Sequence, residues 1–419
     1  MNKKEIHVSE NRILLFITTI LITIISTDTV YFGTNENVLF QKSTQMILCV
    51  FVIILFFYVF KKRVFFEKQK IILVAILNSC IILTSVVTVD FRLGYIFRCV
   101  LIFFSFFITQ IFSIEVFAKM FNKIICFLSF ISIICFFIEA IDHSFFSFAP
   151  RVYNISGYGF QNLFLYIQSD AGFSLRNYGI YREPGVFQIF IIVALLFEIY
   201  CFKQIDIKRI IVLSITLLTT LSTTGVIAFI VWIILFLFKN KLLVKTIRIK
   251  YIVCLMVMVS LLVGLLLFSF NSFFDTVFGK FNLENASFLA RLSSIIVNIK
   301  IWIENLVFGV GLTNVENLYM QESNNIFGVF IKDNTNTILI QYAVFGTLFG
   351  ILWTIGYIKA ACALGKSKIE KTLIFLIIII LSVGEDLSFS PLGNVLMIYG
   401  LMCFKKSNSK KNERIFNGG

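Results

Sequence analysis

The chain is poor in proline, histidine and charge. Its 419 residues include only 3 prolines and 2 histidines, and 14% are Asp, Glu, Lys or Arg, whereas soluble domains carry roughly 25% charged residues. This composition excludes an ordinary soluble domain. The two histidines, His7 and His143, exclude a histidine-rich metal site, and no carboxylate pair has metal-ligand spacing. We therefore predict neither a metal nor another cofactor.

Cysteine is present, but not where disulfides would be expected. None of the 9 cysteines falls in either of the two long polar segments, and no pair has metal-ligand spacing. We predict that they are small buried apolar residues. A phosphate-cradling P-loop and a nucleophile elbow are also missing from the sequence.

Apolar residues dominate what is left. They make up 58% of the chain, with 51 phenylalanines and a mean hydropathy of +0.93. Apolar runs near the length that crosses a bilayer predict an all-α, polytopic membrane protein. We predict about 12 transmembrane helices, at 13–32, 43–60, 71–89, 94–114, 123–140, 186–202, 208–221, 224–238, 251–270, 336–358, 371–384 and 390–404.

Positive charge is distributed unevenly between alternate loops. The net charge is +14, and most Lys and Arg residues fall on the side that shares the N-terminus, while the short loops of the other side hold only Lys42 and Arg92. The positive-inside rule therefore predicts that both termini are cytoplasmic. The charge is then explained by anionic lipid head groups, not by nucleic acid. The polar tail 405–419 is predicted to be disordered.

Two long segments interrupt the short loops, and both are predicted on the outer side of a single integral membrane domain. They cover 141–185 and 271–335, and loops of this length are usually functional or disordered. Within the second, apolar residues at helical spacing predict an amphipathic helix over 288–307, ended by Gly309 and Gly311. Such a helix would lie on the membrane interface or cap a cavity.

Three arginines fall in these two outer segments: Arg176, Arg182 and Arg291. The guanidinium group is planar, keeps its charge and binds phosphate oxygens in pairs. The set is therefore a candidate site for a phosphorylated lipid-linked ligand. The alternative is that each arginine binds a lipid head group or pairs with a loop carboxylate.

Glu183 stands between Arg182 and Pro184, immediately before an apolar run. Its carboxylate is a candidate general base, or a group that orients Arg182 or a sugar hydroxyl. The alternative, which we favour, is a local ion pair at a helix start, with Pro184 in the first turn. Asp170 and Asp333 are weaker candidates for the base.

Arg98 lies inside the fourth predicted span. A charge at this depth is a functional candidate by default. Because Arg92 is near in sequence, the alternative is that Arg98 extends its side chain outward to the interface.

Polar residues also flank the last predicted spans. Asn334 and Asn336 precede the tenth span, where their amides would bind sugar hydroxyls or, as we favour, cap the helix. Glu385 and Asp386 lie in the turn between the last two spans. They would line a cavity or, as we favour, form a solvated turn.

Several of these residues form a pattern that resembles the O-antigen ligase and polymerase superfamily over about 170–355. Arg176-x-x-Gly179-x-x-x-x-Pro184 is similar to its arginine–glycine–proline signature, and Arg182-Glu183-Pro184-Gly185 resembles the form in capsular and O-antigen repeat-unit polymerases (Wzy-type). Further matching stretches are Leu218–Gly225, with Thr in place of the usual arginine, Arg291 with Trp302 and Gly309-Val310-Gly311, and Asn336-Thr337-Ile338-Leu339 with Gly346 and Gly350.

The resemblance implies a membrane-embedded, GT-C-like glycosyltransferase of the bacterial cytoplasmic (inner) membrane. It would join undecaprenyl-diphosphate-linked oligosaccharide repeat units into O-antigen or capsular polysaccharide, without a metal, alongside membrane lipids, a chain-length regulator and a flippase. Arg176 and Arg291 would hold the diphosphates and Glu183 would be the base. The substrate-binding residues would be Arg182, Arg98, Asn336 and Asp333.

Besides a scaffold or a permease of unknown cargo, two alternatives remain at this point. The first is the ligase of the same superfamily, which normally has histidine directly before the asparagine of the last motif. Here Thr335 stands before Asn336, which favours a polymerase. The second is a lipid-linked oligosaccharide flippase. A transporter of this kind more often has short loops on both faces and several buried cations, so the two long segments favour an enzyme.

Overall fold

A computed structural model describes residues 11–64, 66–170, 175–239 and 286–402. The predicted ninth span at 251–270, the start of the second long segment and the tail 405–419 lie outside the described residues. Within them the chain is mostly helical. We number the helices α1–α13 in chain order: Arg12–Thr23, Val38–Lys61, Lys68–Val87, Leu93–Ile111, Ile114–Ile141, Pro184–Tyr200, Ile207–Thr219, Thr223–Lys239, Ala286–Glu304, Gly311–Phe327, Leu339–Leu364, Lys368–Gly384 and Pro391–Met402.

The helices identify a multi-pass membrane protein. Among the described residues, 6 helices are long and apolar enough to cross a bilayer, namely α2, α3, α4, α5, α9 and α11. Large apolar side chains on the outside of α2 and α3, such as Phe56, Phe57 and Ile82, are exposed. They suit contact with lipid hydrocarbon. The total of 12 spans and the orientation of the termini stay predictions.

The first span is shorter than the sequence predicted. Helix α1 ends at Thr23, not at residue 32. The following polar residues form local hydrogen bonds, from Ser26 Oγ to Asp28 Oδ2 and from Thr29 Oγ1 to the Ser26 carbonyl. These side chains compete with the helical backbone bonds and end the helix. A short π-helix, Val30–Thr34, comes next.

The prediction of an all-α fold is wrong in one region. Part of the first long segment forms a three-stranded antiparallel sheet of β1 (Arg151–Tyr153), β2 (Gly159–Asn162) and β3 (Ile167–Ser169), in that order. Residue Val152 pairs with Phe160, and Gln161 pairs with Gln168. Val30, Phe160 and Ile167 form a small core beneath it. The strands are too short to show a clear alternation in sequence.

Helix α6 is buried along its whole length. Residues Pro184 to Ile199 are all buried, because α5, α7 and α8 pack around the helix. One carboxylate inside this packing, Glu198, accepts from Asn122 Nδ2 at 3.0 Å and from the Asp206 backbone N–H at 2.9 Å. The helix is apolar apart from Gln188 and Glu198, as its enclosure requires, and its N-terminus is held firmly in place.

The second long segment contains two helices. The predicted helix 288–307 corresponds to α9, Ala286–Glu304, but α10, Gly311–Phe327, was not predicted. The turn between them places Gly309 at φ +66° and Gly311 at φ +80°, a region that favours glycine. The Val310 N–H donates to the Ala343 carbonyl at 2.9 Å, so this turn is fixed against α11.

Helix α11 is bent where this turn meets it. Gly346 has φ +80° and ψ −178° inside the helix, and a Cβ there would clash with the Val307 carbonyl. The Thr347 N–H donates to the Leu306 carbonyl at 2.8 Å. The turn after α9 therefore supplies hydrogen-bond partners for backbone groups of α11 at the bend.

The prediction that the cysteines are buried is only partly right. The described cysteines are free thiols, and Cys201 is buried, but Cys362 is exposed and the others are intermediate. Outward-facing thiols of a membrane helix meet hydrocarbon, so an apolar residue does not have to be enclosed by protein.

We expect Gly346→Ala to destabilise the protein far more than Gly328→Ala. Gly328 also has a positive φ (+71°), but nothing lies near its missing Cβ, so its substitution should cost about 1 kcal/mol. Gly346 adds a clash with the Val307 carbonyl to a conformation that is essentially restricted to glycine, and we expect about 3 kcal/mol or more. Thermal unfolding in detergent measures both, and equal losses would contradict this account of the bend.

Candidate active site

Arg176 is anchored on the turn between α7 and α8. Its Nε donates to the Thr220 carbonyl at 3.1 Å and its Nη2 lies 3.5 Å from the Leu221 carbonyl. The next residue, Asn177, donates its backbone N–H to the Thr219 carbonyl at 3.0 Å. Two stretches that stand apart in the sequence are therefore joined directly.

Asn177 and Gly179 hold the backbone that carries Arg176. The buried Asn177 amide donates to Thr219 Oγ1 at 3.0 Å and to Ser132 Oγ at 3.2 Å, while its oxygen accepts from the Gly179 N–H at 2.9 Å. Gly179 has φ +57°, and a Cβ there would lie 2.8 Å from the Phe187 ring. The glycine of this signature is thus required by both conformation and space.

Arg182 connects the segment after α1 with the turn before α13. Its backbone N–H donates to the Asp28 carbonyl and its Nη2 donates to the Asp386 carbonyl, both at 3.0 Å. Burial lowers the pKa of Arg182, but the nearby carboxylates of Glu183, Glu385, Asp28 and Asp386 outweigh it, and the net pKa is raised. Arg182 therefore keeps its positive charge in this site.

Asp28 is a buried neighbour of Arg182. Its Oδ2 accepts from Ser390 Oγ at 2.6 Å and from Ser26 Oγ at 3.1 Å. Burial is the largest effect on Asp28, and it raises the pKa of this carboxyl. The sequence analysis did not consider Asp28, because a polar residue at the predicted end of a span gave no sign of its distant partners.

Glu385 is a buried carboxyl group at the centre of the cluster. It lies against Gly185 so closely that a Cβ at that glycine would clash with the carboxylate. Thr337 Oγ1 donates to the Glu385 carbonyl at 2.6 Å and accepts from the Leu387 N–H at 2.9 Å. The sequence analysis favoured a solvated turn for Glu385, but the residue is only 6% exposed, so that expectation is wrong.

The charges around Glu385 come from three separate parts of the chain. Burial raises its pKa from 4.5 to about 8, the charge of Glu183 adds to this, and the guanidinium groups of Arg182, Arg291 and Arg176 oppose it. Glu183 itself is exposed. The site therefore combines one accessible carboxylate with one buried carboxyl that holds its proton near neutral pH.

Arg291 enters the cluster from α9. Burial lowers the pKa of Arg176, the charges of Tyr178, Glu183 and Glu385 oppose this, and Arg291 is near enough for its charge to lower the pKa slightly. Arg291 Nε is buried and has no hydrogen-bond partner among the described residues. None of the ion pairs in the described part of the chain involves Arg176, Arg182 or Arg291. No direct ion pair in that part of the chain therefore occupies these guanidinium groups, although four carboxyl groups lie near Arg182.

An apolar cavity adjoins Arg291. Its volume is about 310 Å³, and its walls come from α8, α9 and α12 through residues such as Ile227, Leu292 and Ile380. Gly384, immediately before Glu385, also lines it. The apolar cavity therefore lies directly beside the charged cluster, with Arg291 in its wall.

Asn336 and Asp333, which were also predicted to bind substrate, have no hydrogen bond or ion pair with the arginine cluster among the described residues. Asn336 caps α11, accepting from the N–H groups of Ile338 at 3.1 Å and Leu339 at 2.9 Å, as the cap alternative predicted. Asp333 is exposed, and Asp170 is paired with Arg151 at 2.9 Å. These contacts give the two aspartates no direct link to the arginine cluster.

Arg98 is fully buried and does not extend outward. Its Nη2 donates to Gln341 Oε1 at 2.5 Å, and its guanidinium carbon lies 4.4 Å from the centre of the Trp353 ring. Gln341 in turn donates to Ser388 Oγ at 2.6 Å, next to the turn that carries Glu385. Arg98 thus supports the cluster through neighbours, while its role in binding substrate stays a prediction.

Comparison with known proteins relates part of the chain to a protein family. Residues 210–354 match a family model described as O-antigen ligase. Neither the search of curated proteins nor the search of solved structures gave a match. The matched residues include Arg291 and the turn that anchors Arg176, and members of this superfamily are glycosyltransferase-like enzymes that act on polysaccharides.

We expect Glu385→Gln to change how stability depends on pH. The carboxyl pKa is raised in the folded state, so its stabilising proton is fully bound below pH 4.5 and is lost as the pH rises through about 8. The parent should lose thermal stability between pH 5 and pH 9, and Glu385→Gln should lose less. Melting curves across this range measure the difference. Parallel pH profiles would show that Glu385 does not titrate in this window.

Proposed function

We propose that this chain, which carries a domain of the O-antigen ligase and polymerase superfamily at residues 210–354, is a polysaccharide polymerase. It joins oligosaccharide repeat units carried on undecaprenyl diphosphate at the outer face of the bacterial cytoplasmic membrane. The observation that supports this most is the convergence of Arg176, Arg182 and Arg291 on one site without ion-pair partners among the described residues.

The arginine cluster suits the leaving group of this reaction. The hydroxyl oxygen of the acceptor sugar attacks the anomeric carbon of the donor sugar. The bond from that carbon to the diphosphate oxygen breaks, and the lipid diphosphate leaves with the electron pair. Fixed guanidinium groups stabilise the negative charge that develops, and the half-buried setting strengthens this effect. The unpaired Nε of Arg291 is one donor for such an anion.

The adjoining cavity suits the lipid part of the same substrate. Its apolar walls from α8, α9 and α12 begin beside Arg291. A prenyl chain there would lie among hydrocarbon side chains while its diphosphate contacts the arginines. A cavity of about 310 Å³ is within the usual range for ligand sites, roughly 300–1,000 Å³, and it would hold the chain segment nearest the diphosphate.

The two carboxyl groups have different roles in this proposal. Glu183 is exposed and accepts the proton of the acceptor hydroxyl. Glu385 is buried and holds its own proton near neutral pH. It therefore does not add a second negative charge beside the diphosphate. Ionised together, the two carboxylates would repel the substrate that the arginines attract.

Thr335 favours a polymerase over a ligase. Its Oγ1 donates to the Val383 carbonyl at 3.0 Å and lies 3.2 Å from Ser294 Oγ, between α9 and α12 at the border of the cluster. The ligases of this superfamily normally have histidine at this position. A threonine hydroxyl does not exchange protons at neutral pH as an imidazole does, so the proton chemistry here depends on the carboxyl groups.

Arg176→Ala and Arg291→Ala should each abolish long polymer while leaving a single repeat unit on the glycan. Loss of one such donor lowers the rate by about 10²–10³. We would measure the polysaccharide ladder in cells and polymer formation by purified protein in detergent. Arg151→Ala is the matched control, because Arg151 is an exposed arginine paired with Asp170, and it should keep the full ladder.

The same detergent assay separates the alternatives. Polymer formed from repeat-unit lipid alone, with no membrane to cross, excludes a pure flippase. Transfer that occurs only when a lipid A core or a protein acceptor is added would identify a ligase instead. Normal polymer length and amount in both arginine variants would overturn the proposed site.

Glu183→Gln and Glu385→Gln should affect different kinetic constants. Loss of a general base typically lowers the rate by about 10²–10⁴, so Glu183→Gln should lower kcat with little change in KM. In the parent, KM for lipid-linked substrate should rise above about pH 8, as Glu385 ionises. Glu385→Gln should remove that rise. An unchanged kcat in Glu183→Gln would exclude Glu183 as the base.

A further inference from the structure

A second, chemically different cavity lies at the far end of α9. Its volume is about 410 Å³, and four amide side chains line it: Asn305, Asn314, Asn317 and Gln321. Thr88, the Gly309 turn and Leu318 form the rest of the described wall, and none of these described lining residues is charged. Val310 and Leu318 add apolar surface, so the cavity combines amides with apolar contacts and, among its described residues, offers no cation for a phosphate.

The amides are aligned by the geometry of α10. Asn314, Asn317 and Gln321 are spaced by three and four residues, so they share one face of the helix. The stripe that includes Val315, Tyr319 and Ser323 is buried. Tyr319 OH lies 2.6 Å from Ser293 Oγ of α9, which fixes the rotation of α10 and turns the amides outward.

These amides have hydrogen-bonding capacity to spare. Asn305 Nδ2 donates to the Ile301 carbonyl at 3.0 Å and Asn314 Nδ2 donates to the Val310 carbonyl at 3.2 Å, which leaves both side-chain oxygens open. The side chains of Asn317 and Gln321 are exposed and have no hydrogen bond within the described residues. Each amide offers two donors and an acceptor, a set that matches the hydroxyl groups of a sugar.

The wall of this cavity is held in advance of binding. The Leu312 N–H donates to Tyr95 OH at 2.8 Å, and Thr313 Oγ1 donates to Asp90 Oδ2 at 2.6 Å. Both bonds tie the start of α10 to the region around the start of α4. A preorganised site loses less conformational entropy when a ligand binds.

The amide-lined cavity and the arginine cluster lie near opposite ends of α9. Asn305 follows Arg291 by 14 residues, which along a helix corresponds to about 21 Å and nearly the same side of the axis. We propose that this amide-lined cavity binds the sugars of the oligosaccharide whose diphosphate contacts Arg291. The inference rests on the proposed function, to which it adds a neutral glycan-binding site apart from the reacting bond.

Binding of a glycan without its lipid tests the proposal directly. The probe is the oligosaccharide released by mild acid from the host's own lipid-linked repeat unit, titrated calorimetrically into the full chain in detergent. Asn317→Ala with Gln321→Ala should weaken binding about tenfold, since each loses at least one hydrogen bond. Asn325→Ala, an exposed amide of α10 outside the cavity wall, is the matched control and should bind normally.

Kinetics and the arginine variants distinguish this proposal from the proposed function. The double amide variant should raise KM for lipid-linked substrate with little change in kcat and an unchanged melting temperature. Arg291→Ala should lose polymerisation but keep binding of the free oligosaccharide. Equal binding by the parent and the double variant, or no binding by the parent, would overturn the glycan site even if the arginine variants behave as proposed.

Discussion

The burial of Glu385 beside Gly185 is the constraint on which the rest of this site depends. A carboxyl group removed from water is costly when ionised, so burial raises the pKa of Glu385 to about 8, while the charges of Arg182, Arg291 and Arg176 oppose that shift. The same arginines are not paired with any described carboxylate within 4.0 Å. The site therefore places opposite charges near one another without joining them in direct ion pairs.

The bundle is arranged to hold this balance in place. Helix α6 is enclosed by its neighbours, so the Arg182–Gly185 stretch at its start has little freedom to move. The turn after α12 is joined to this stretch by the Arg182 bond to the Asp386 carbonyl, and to the start of α11 by Thr337. Further from the charge, Arg98 binds Gln341, and Gln341 binds Ser388. These bonds satisfy Arg98 only in part, since its Nε and Nη1 have no hydrogen-bond partner among the described residues.

The residue types of the sequence were enough to predict the role of the arginines, but not the surroundings of the other site residues. Arginines in the long segments of an apolar chain predicted an anion site, and in the structure Arg176 and Arg291 are near enough for their charges to interact; their role stays a prediction. Glu385 looked like part of a solvated turn, because nothing near it in sequence shows that Gly185 covers it. The sheet from Arg151 to Ser169 and the helix α10 were missed, since short strands and an amide-rich helix carry weak periodic signals.

The sequence by itself determined that the chain is a helical membrane protein with cationic residues in two long segments. Apolar run length and the scarcity of charge are local properties, and they depend on no distant partner. Only the tertiary structure decided which charges meet, which carboxyl is buried and which amides share a cavity. Those outcomes depend on contacts between residues far apart in the chain, such as Arg182 with Asp386, and no local pattern encodes the distance between such groups.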